Sequence, residues 1–276
     1  MIHERINLKD YYPTLENDTF LTTYCPDNFN EWSSKEKRKG LLILPGGGYE
    51  FVSEREAEPV ALRFAGQNIA CFVLKYNVGS KLKNPSPFLE AFAALSYIRR
   101  NSEKYHILVD KLSVLGFSAG GHLAATISCY HNSQEYADLL NIPLEEMKIN
   151  GCLLSYPVIT MDDFTHEGTR RQITENIEEL LTKMSIEKNV TKDFPKTFIW
   201  HTTFDNCVPV KNSLVLANAL SENKVFYELH IYPMHDHGQS LSDESVYYNP
   251  DEKFIKEIKY NTQWVDNAIH FIKEYI

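Results

Sequence analysis

The chain has little that would tie it to a membrane, a nucleic acid or a metal. None of its apolar runs approaches the 18 residues a spanning helix needs, so no membrane span is expected. The first ten residues, Met1 to Asp10, contain no apolar core of the kind a secretory signal carries. Basic residues are outnumbered, 28 against 37, and the net charge of −9 argues against nucleic acid or an anionic membrane surface as a partner. Cysteine is scarce and unpatterned. Cys25, Cys71, Cys129, Cys152 and Cys207 are an odd set without a C-x-x-C, and most sit in apolar segments where a thiol acts as a small hydrophobe. A reducing, cytoplasmic setting is expected, with no cofactor and no metal. There is no Pro/Gly/Ser linker, repeat or low-complexity tract, so residues 1–276 are expected to form one domain. The densest charge run, Lys35 to Lys39, reads as a solvated turn before a strand.

What is present is an alternation of short apolar runs with helical spacings. Thr19–Tyr24 reads as an edge strand, and Leu41–Leu44, Ile69–Tyr76, Leu112–Leu115, Gly151–Tyr156, Thr197–His201 and Tyr227–Tyr232 as strands. Phe88, Phe92, Leu95 and Ile98 recur at helical spacing. Helices are also expected over His122–Tyr130, Ile173–Met184 and Ser213–Leu220, and in a last helix with Trp264, Ala268, Phe271, Ile272 and Tyr275 on one face. Strands alternating with helices predict an α/β fold, a mostly parallel sheet of about eight strands with helices on both faces. Such sheets bind ligands at the carboxyl ends of their strands, so the loops after the strands carry the information.

Four of those loops hold chemistry. After Val114-Leu115 comes Gly116-Phe117-Ser118-Ala119-Gly120, and then a helix. Strand, G-x-S-x-G, helix is the setting of a nucleophile elbow, where two glycines let a strained turn close around an exposed serine. Serine is a poor nucleophile at neutral pH and needs a base, which needs an orienting acid. Ser118, Asp205 and His237 follow three different strands in that order. Each also has a plainer use, as a close turn, a turn before Val208-Pro209 or a surface loop residue, but all three together favour catalysis. His235 and Asp236 compete for the same roles. His237 is preferred because Gly238 lets the loop present its ring, and Asp205 because Asp236 adjoins His237 too closely to orient its far nitrogen. The cluster His235-Asp236-His237 also admits a metal reading, which no H-E-x-x-H or C-x-x-C supports. Gly46-Gly47-Gly48 fits a loop whose N–H groups bind an oxyanion. It does not match a phosphate loop, since the segment has no G-x-x-x-x-G-K-[ST] and no G-x-G-x-x-G. Tyr49, with Phe51, is expected to narrow the acyl side of a substrate pocket. The polar segment 161–196, ahead of the Asp205 strand, is expected to form a helical cap-like insertion over the serine. Its residues Ile173, Ile177, Leu180, Leu181 and Met184 are expected to share one buried face.

These residues resemble the α/β-hydrolase superfamily, and within it the acetyl-esterase branch, the acetylxylan-esterase or hormone-sensitive-lipase-like proteins often labelled as endo-1,4-β-xylanase-related. The likeness runs through Leu44-Pro-Gly-Gly-Gly-Tyr49, Ser53-Glu-Arg-Glu56, Gly116 to Ala124, Pro195 to Thr202, Asp205 to Val210, and His230 to Gly238, roughly residues 40–240. It implies the α/β-hydrolase fold and a serine esterase acting on a small-molecule ester, with Ser118 as nucleophile, Asp205 as acid, His237 as base, and the N–H groups of Gly47, Gly48 and Ala119 as the oxyanion hole. Pro45 stands where the hormone-sensitive-lipase-like motif has histidine, which favours the acetyl-esterase branch. Phe204 stands where that branch often has a second acid. The alternatives are a prolyl-oligopeptidase-like peptidase, which shares the catalytic order, and a hydrolase-fold binding protein without activity. Oligomeric state is not legible.

Overall fold

The computed structural model describes residues 1–31, 35–233, 236–248 and 250–276. Eight strands form one sheet: β1 (Arg5–Asn7), β2 (Phe20–Tyr24), β3 (Arg38–Leu44), β4 (Ala70–Lys75), β5 (Ile107–Phe117), β6 (Gly151–Ser155), β7 (Lys196–Thr202) and β8 (Tyr227–Tyr232). Their order is β1-β2-β4-β3-β5-β6-β7-β8. The pairs β1/β2 and β2/β4 are antiparallel, and every other pair is parallel.

The inner strands are apolar on both faces because both faces are covered. On β3, Leu42 and Leu44 enter one buried cluster while Leu41 and Ile43 enter the other. On β5, Val114 and Leu115 divide in the same way. The first cluster takes side chains from α2 (Ser86–Arg100), α3 (Ala119–Tyr130), α4 (Gln134–Leu140) and α7 (Lys211–Glu222). The second takes Val60 and Phe64 of α1 (Glu58–Ala65), and Trp264, Ala268 and Phe271 of α9 (Gln263–Tyr275). The remaining helices are α5 (Glu167–Thr174) and α6 (Glu178–Met184), which lie between β6 and β7, and α8 (Glu252–Ile258).

The predicted α/β class and the seven predicted strands are present. Three expectations are corrected. The edge is β1 rather than the strand at 20–24, because three residues with no alternation give no periodic signal. The single helix expected over 173–184 is two short ones. Glu175 and Asn176 take left-handed conformations, φ 51° and 58°, and the Thr174 hydroxyl accepts the Asn176 N–H, so the chain turns between them. That break leaves Ile173 and Met184 buried but Ile177 half exposed, so the five apolar residues do not share one face. Tyr275 keeps the expected face of α9, its ring 5.5 Å from that of Phe271, although it is partly exposed.

Candidate active site

Ser118 sits between β5 and α3 at φ 53°, ψ −117°, a strained conformation for a residue with a side chain. The turn is that tight because the strand and helix nearly touch. A Cβ on Gly116 would overlap the Gly120 carbonyl, and one on Gly120 would overlap the Leu44 and Pro45 carbonyls. The two glycines of the motif are therefore required by contact. Ser118 itself is held by its N–H to Ser155 O at 3.0 Å, and its carbonyl accepts the His122 and Val158 N–H groups.

The loops after β7 and β8 bring the other two residues to it. Ser118 Oγ lies 2.7 Å from His237 Nε2, and His237 Nδ1 lies 2.6 Å from Asp205 Oδ2. The carboxylate can only accept, so Nδ1 carries the hydrogen, and Nε2 of the neutral ring is left to accept from the serine. Asp205 Oδ1 accepts the Cys207 and Val208 N–H groups at 3.0 and 2.7 Å. Its Oδ2 has a second partner, His201 Nε2, at 3.2 Å. That nitrogen also faces Val208 O at 2.8 Å, and both neighbours are acceptors, so His201 donates from Nε2. Burial pushes the Asp205 carboxyl up, but hydrogen bonds from His201 and His237, the His237 charge and the Val208 N–H outweigh it and hold the group well below the usual carboxylate range. Asp236 is engaged elsewhere, accepting the backbone N–H groups of Asn206 and His237. Its rival in the sequence, Asp205, is the acid that reaches the imidazole. The His235 of the metal reading lies outside the described residues, and both ring nitrogens of His237 are already taken up by Asp205 and Ser118.

The glycine loop after β3 lies against the serine. Gly47 and Gly48 have φ of 127° and 64°, and the Gly47 carbonyl accepts the Glu50 and Phe51 N–H groups, which folds the loop back. Among the described residues, the N–H groups of Gly47, Gly48 and Ala119 have no backbone acceptor. The N–H of Gly46 does have a partner, the fully buried carboxylate of Glu56, at 2.7 Å. The other oxygen of Glu56 accepts the Tyr156 hydroxyl at 2.7 Å, and that hydroxyl accepts the Ser240 N–H at 2.8 Å. One carboxylate thus ties the glycine loop to the loop that carries His237. Arg55 strengthens the tie, donating from Nη2 to Gly238 O at 2.9 Å. Burial raises the pKa of Glu56, against the Tyr156 and Gly46 hydrogen bonds and the His237 charge. The Tyr156 ring stands 5.0 Å from the His237 ring, edge-on.

The cleft over Ser118 has a volume of about 260 Å³, and its walls include Phe51, His166, Cys207 and His237. Tyr49 is not among them, which corrects its expected role. Its side chain is fully buried, with the hydroxyl 3.0 Å from His122 Nδ1. His122 donates from its other nitrogen to Met184 O at 2.9 Å, and burial lowers its pKa to about 4, so the neutral ring accepts a hydrogen bond from the Tyr49 hydroxyl. Phe51, 62% exposed, stands at the cleft instead.

His166, which caps α5, reaches over the glycine loop. A Cβ built on Gly48 would come within 3.4 Å of its Cε1. Its Nδ1 accepts the Thr169 N–H at 3.1 Å, so the neutral ring keeps its hydrogen on Nε2, and burial and the His237 charge lower its pKa. The roles of His201, Glu56, Tyr156 and His166 are absent from the sequence reading. Glu56 and His201 lie within the recurring stretches, but no spacing marks their partners.

A family model described as BD-FAE matches residues 27–220. Endo-1,4-beta-xylanase B of Butyrivibrio fibrisolvens is 35% identical over 221 residues, 76% of this chain and 34% of that protein. The acetylxylan esterase of Xylanibacter ruminicola is 26% identical over 211 residues, 72% of this chain and 41% of that protein. The chain thus spans about a third to two fifths of the length of these relatives. The crystal structure of an acetyl ester-xyloside bifunctional hydrolase from Caldicellulosiruptor lactoaceticus superposes with a TM-score of 0.78 at 31% identity, covering 96% of both chains. The carboxylesterase Cest-2923 from Lactobacillus plantarum shares the fold, with a TM-score of 0.87 at 23% identity and coverage of 99% and 98%.

Proposed function

This chain belongs to the BD-FAE family of α/β-hydrolase fold, and from that premise we propose that it is a serine carboxylesterase acting on short acyl esters, acetyl first, of sugars or oligosaccharides. The observation that carries the reading is the hydrogen-bonded series Ser118, His237, Asp205 beside a glycine loop in which, among the described residues, the Gly47 and Gly48 N–H groups have no backbone acceptor. Ser118 Oγ attacks the ester carbonyl as its proton passes to His237 Nε2. Asp205 orients the ring through Nδ1–H and stabilises the imidazolium. The N–H groups of Gly47, Gly48 and Ala119 receive the oxyanion of the tetrahedral intermediate. His237 then protonates the leaving alcohol. Water, activated by the same histidine, attacks the acyl-enzyme, and the acid leaves as Ser118 regains its proton. No step calls for a cofactor. The segment between β6 and β7 acts as the cap, and the fold works as one domain. A cytoplasmic location agrees with five cysteines that form no disulfide.

The peptidase reading has the same triad order, and the non-catalytic reading requires a lost triad. Hydrolysis of p-nitrophenyl acetate, with no cleavage of a proline amide, separates both from the proposal. Ser118→Ala is expected to lower turnover by at least about a thousandfold with the fold retained by circular dichroism. Wild-type turnover in that variant would sink the assignment.

A further inference from the structure

The cleft at Ser118 shares a wall with a second cavity. Glu50 and Phe51 line both, and the second, of about 550 Å³, runs toward the antiparallel edge of the sheet. That second cavity is bounded by Arg5 of β1, Phe20 of β2, Lys75 at the end of β4, and Lys81. Its charges are unevenly used. Asp18 accepts from Asn7 at 3.0 Å, and Glu50 pairs with Arg171 at 3.5 Å. Among the described residues, none of Arg5, Lys75 and Lys81 has a carboxylate within 4 Å, and the Arg5 guanidinium lies 4.1 Å over the Phe20 ring. Of the acids, Glu50 is paired with a cation, whereas among the described residues the two lysines pair with no acid.

An alkyl chain would gain nothing among those charged groups, because apolar surface is stabilised by apolar surroundings. A sugar chain suits the place better. The exposed Phe51 ring offers a flat apolar face at the junction, and the charged rim offers hydrogen-bond donors. Among the described residues, Lys75 and Lys81 have no carboxylate partner, and these two cations favour a sugar that carries a negative charge.

We infer that the trough beyond Phe51 is a subsite for the alcohol half of the ester, and that it takes an oligosaccharide bearing a carboxylate, a uronic acid. The inference rests on the short-acyl esterase reading, since it gives the larger cavity to the alcohol.

The test compares acetylated xylotriose, the same trisaccharide with one glucuronosyl substituent, and a phosphorylated analogue. Each is assayed for acetate release by the wild type and by a Lys75→Gln/Lys81→Gln variant. At low salt the wild type is expected to favour the glucuronosyl substrate by about threefold to tenfold in kcat/KM. That preference should fall toward one in the double variant and at high salt, because exposed charges are screened. Thermal unfolding checks that the variant is folded. Equal rates on the neutral and glucuronosyl substrates, or a preference that survives the double substitution, would overturn the subsite. A stronger preference for the phosphorylated analogue would overturn the carboxylate assignment. Robust acetate release with no discrimination overturns the subsite alone, whereas no hydrolysis even of p-nitrophenyl acetate removes the esterase reading and the subsite together.

Discussion

Glu56 is the residue whose chemistry most exceeds its appearance in the sequence. It is a buried carboxylate whose two oxygens accept from the Gly46 N–H and the Tyr156 hydroxyl. A glutamine there has one acceptor oxygen, so one of the two donors must lose its partner. Leaving a buried donor unpaired costs about 1–3 kcal/mol, and the group affected holds the glycine loop. Glu56→Gln is therefore expected to lower kcat by about tenfold with a smaller change in KM, measured on p-nitrophenyl acetate. Its stability should also respond to pH. The folded-state pKa of Glu56 is raised, so its contribution is fully present below the unfolded value of about 4.3 and is lost as pH rises through the folded value. Asp205 has the opposite sign: its depressed pKa contributes stability above its unfolded value, lost as pH falls. Comparing Glu56→Gln with the wild type cancels the Asp205 contribution. The difference in unfolding free energy should move in favour of the variant as pH rises over the range above about pH 4. A difference that stays flat across that range would mean Glu56 does not change its proton affinity on folding.

The unit of strand β5, the Ser118 turn and helix α3 carries the proposed nucleophile, and its geometry depends on the absence of side chains. Gly116→Ala would set a methyl group on the Gly120 carbonyl and the Gly121 Cα. Backbone cannot yield as a flexible side chain can, so the strand and helix must separate. An overpacking cost of about 1–3 kcal/mol is expected, seen as a lower Tm, together with a loss of activity as Ser118 leaves its strained conformation. Unchanged Tm and kcat would show that the turn is looser than these contacts require. Elements such as this one were readable in advance, because motif and periodicity are local. The strands at 41–44, 112–115 and 197–201 are marked by short apolar runs, Leu41–Leu44, Val114-Leu115 and Phe198–Trp200, since both faces of the inner sheet are buried. β1 and α1 did not, being short or charged at their start. Ser118, Asp205 and His237, which the structure brings within hydrogen-bond distance, stand out in the sequence because each follows a strand, and the glycine loop because glycine is conspicuous. The bracing was not. Glu56 and Tyr156 are 100 residues apart, His201 and Ser213 meet only once β7 and α7 have packed, and Tyr49 turned inward because His122 offered it a buried acceptor. Nothing in a one-dimensional pattern encodes those pairings.

The whole molecule gathers its chemistry at one edge of the sheet, and that edge limits the acyl group. Loops after β3, β5, β7 and β8 supply the glycines, Ser118, Asp205 and His237, while the segment between β6 and β7 sets His166 over the glycine loop. The resulting cleft is small, about 260 Å³, and most of its walls are polar: Glu50, Ser53, Arg55, His166 and His237. A methylene group contributes about 0.8 kcal/mol only when it is buried against apolar atoms. Among the described residues, Phe51 is the one large apolar side chain on the cleft, and Ile177 is the one half-exposed large aliphatic residue of the segment above. Neither makes the broad apolar patch that would bind a fatty chain or an oil interface. Each carbon added beyond acetyl thus meets polar walls and gains no compensating burial. With p-nitrophenol as the common leaving group, kcat/KM is expected to fall at each step from acetyl to butyryl to octanoyl, and by at least about tenfold over the series. Tyr49→Ala should not relax this order, since its ring lies outside the cleft, and Phe51→Ala, which removes apolar wall, should not raise butyryl relative to acetyl. An octanoyl ester hydrolysed as efficiently as the acetyl ester would mean that the cap moves aside to expose an apolar floor, and the short-acyl reading would fall while the esterase reading stood.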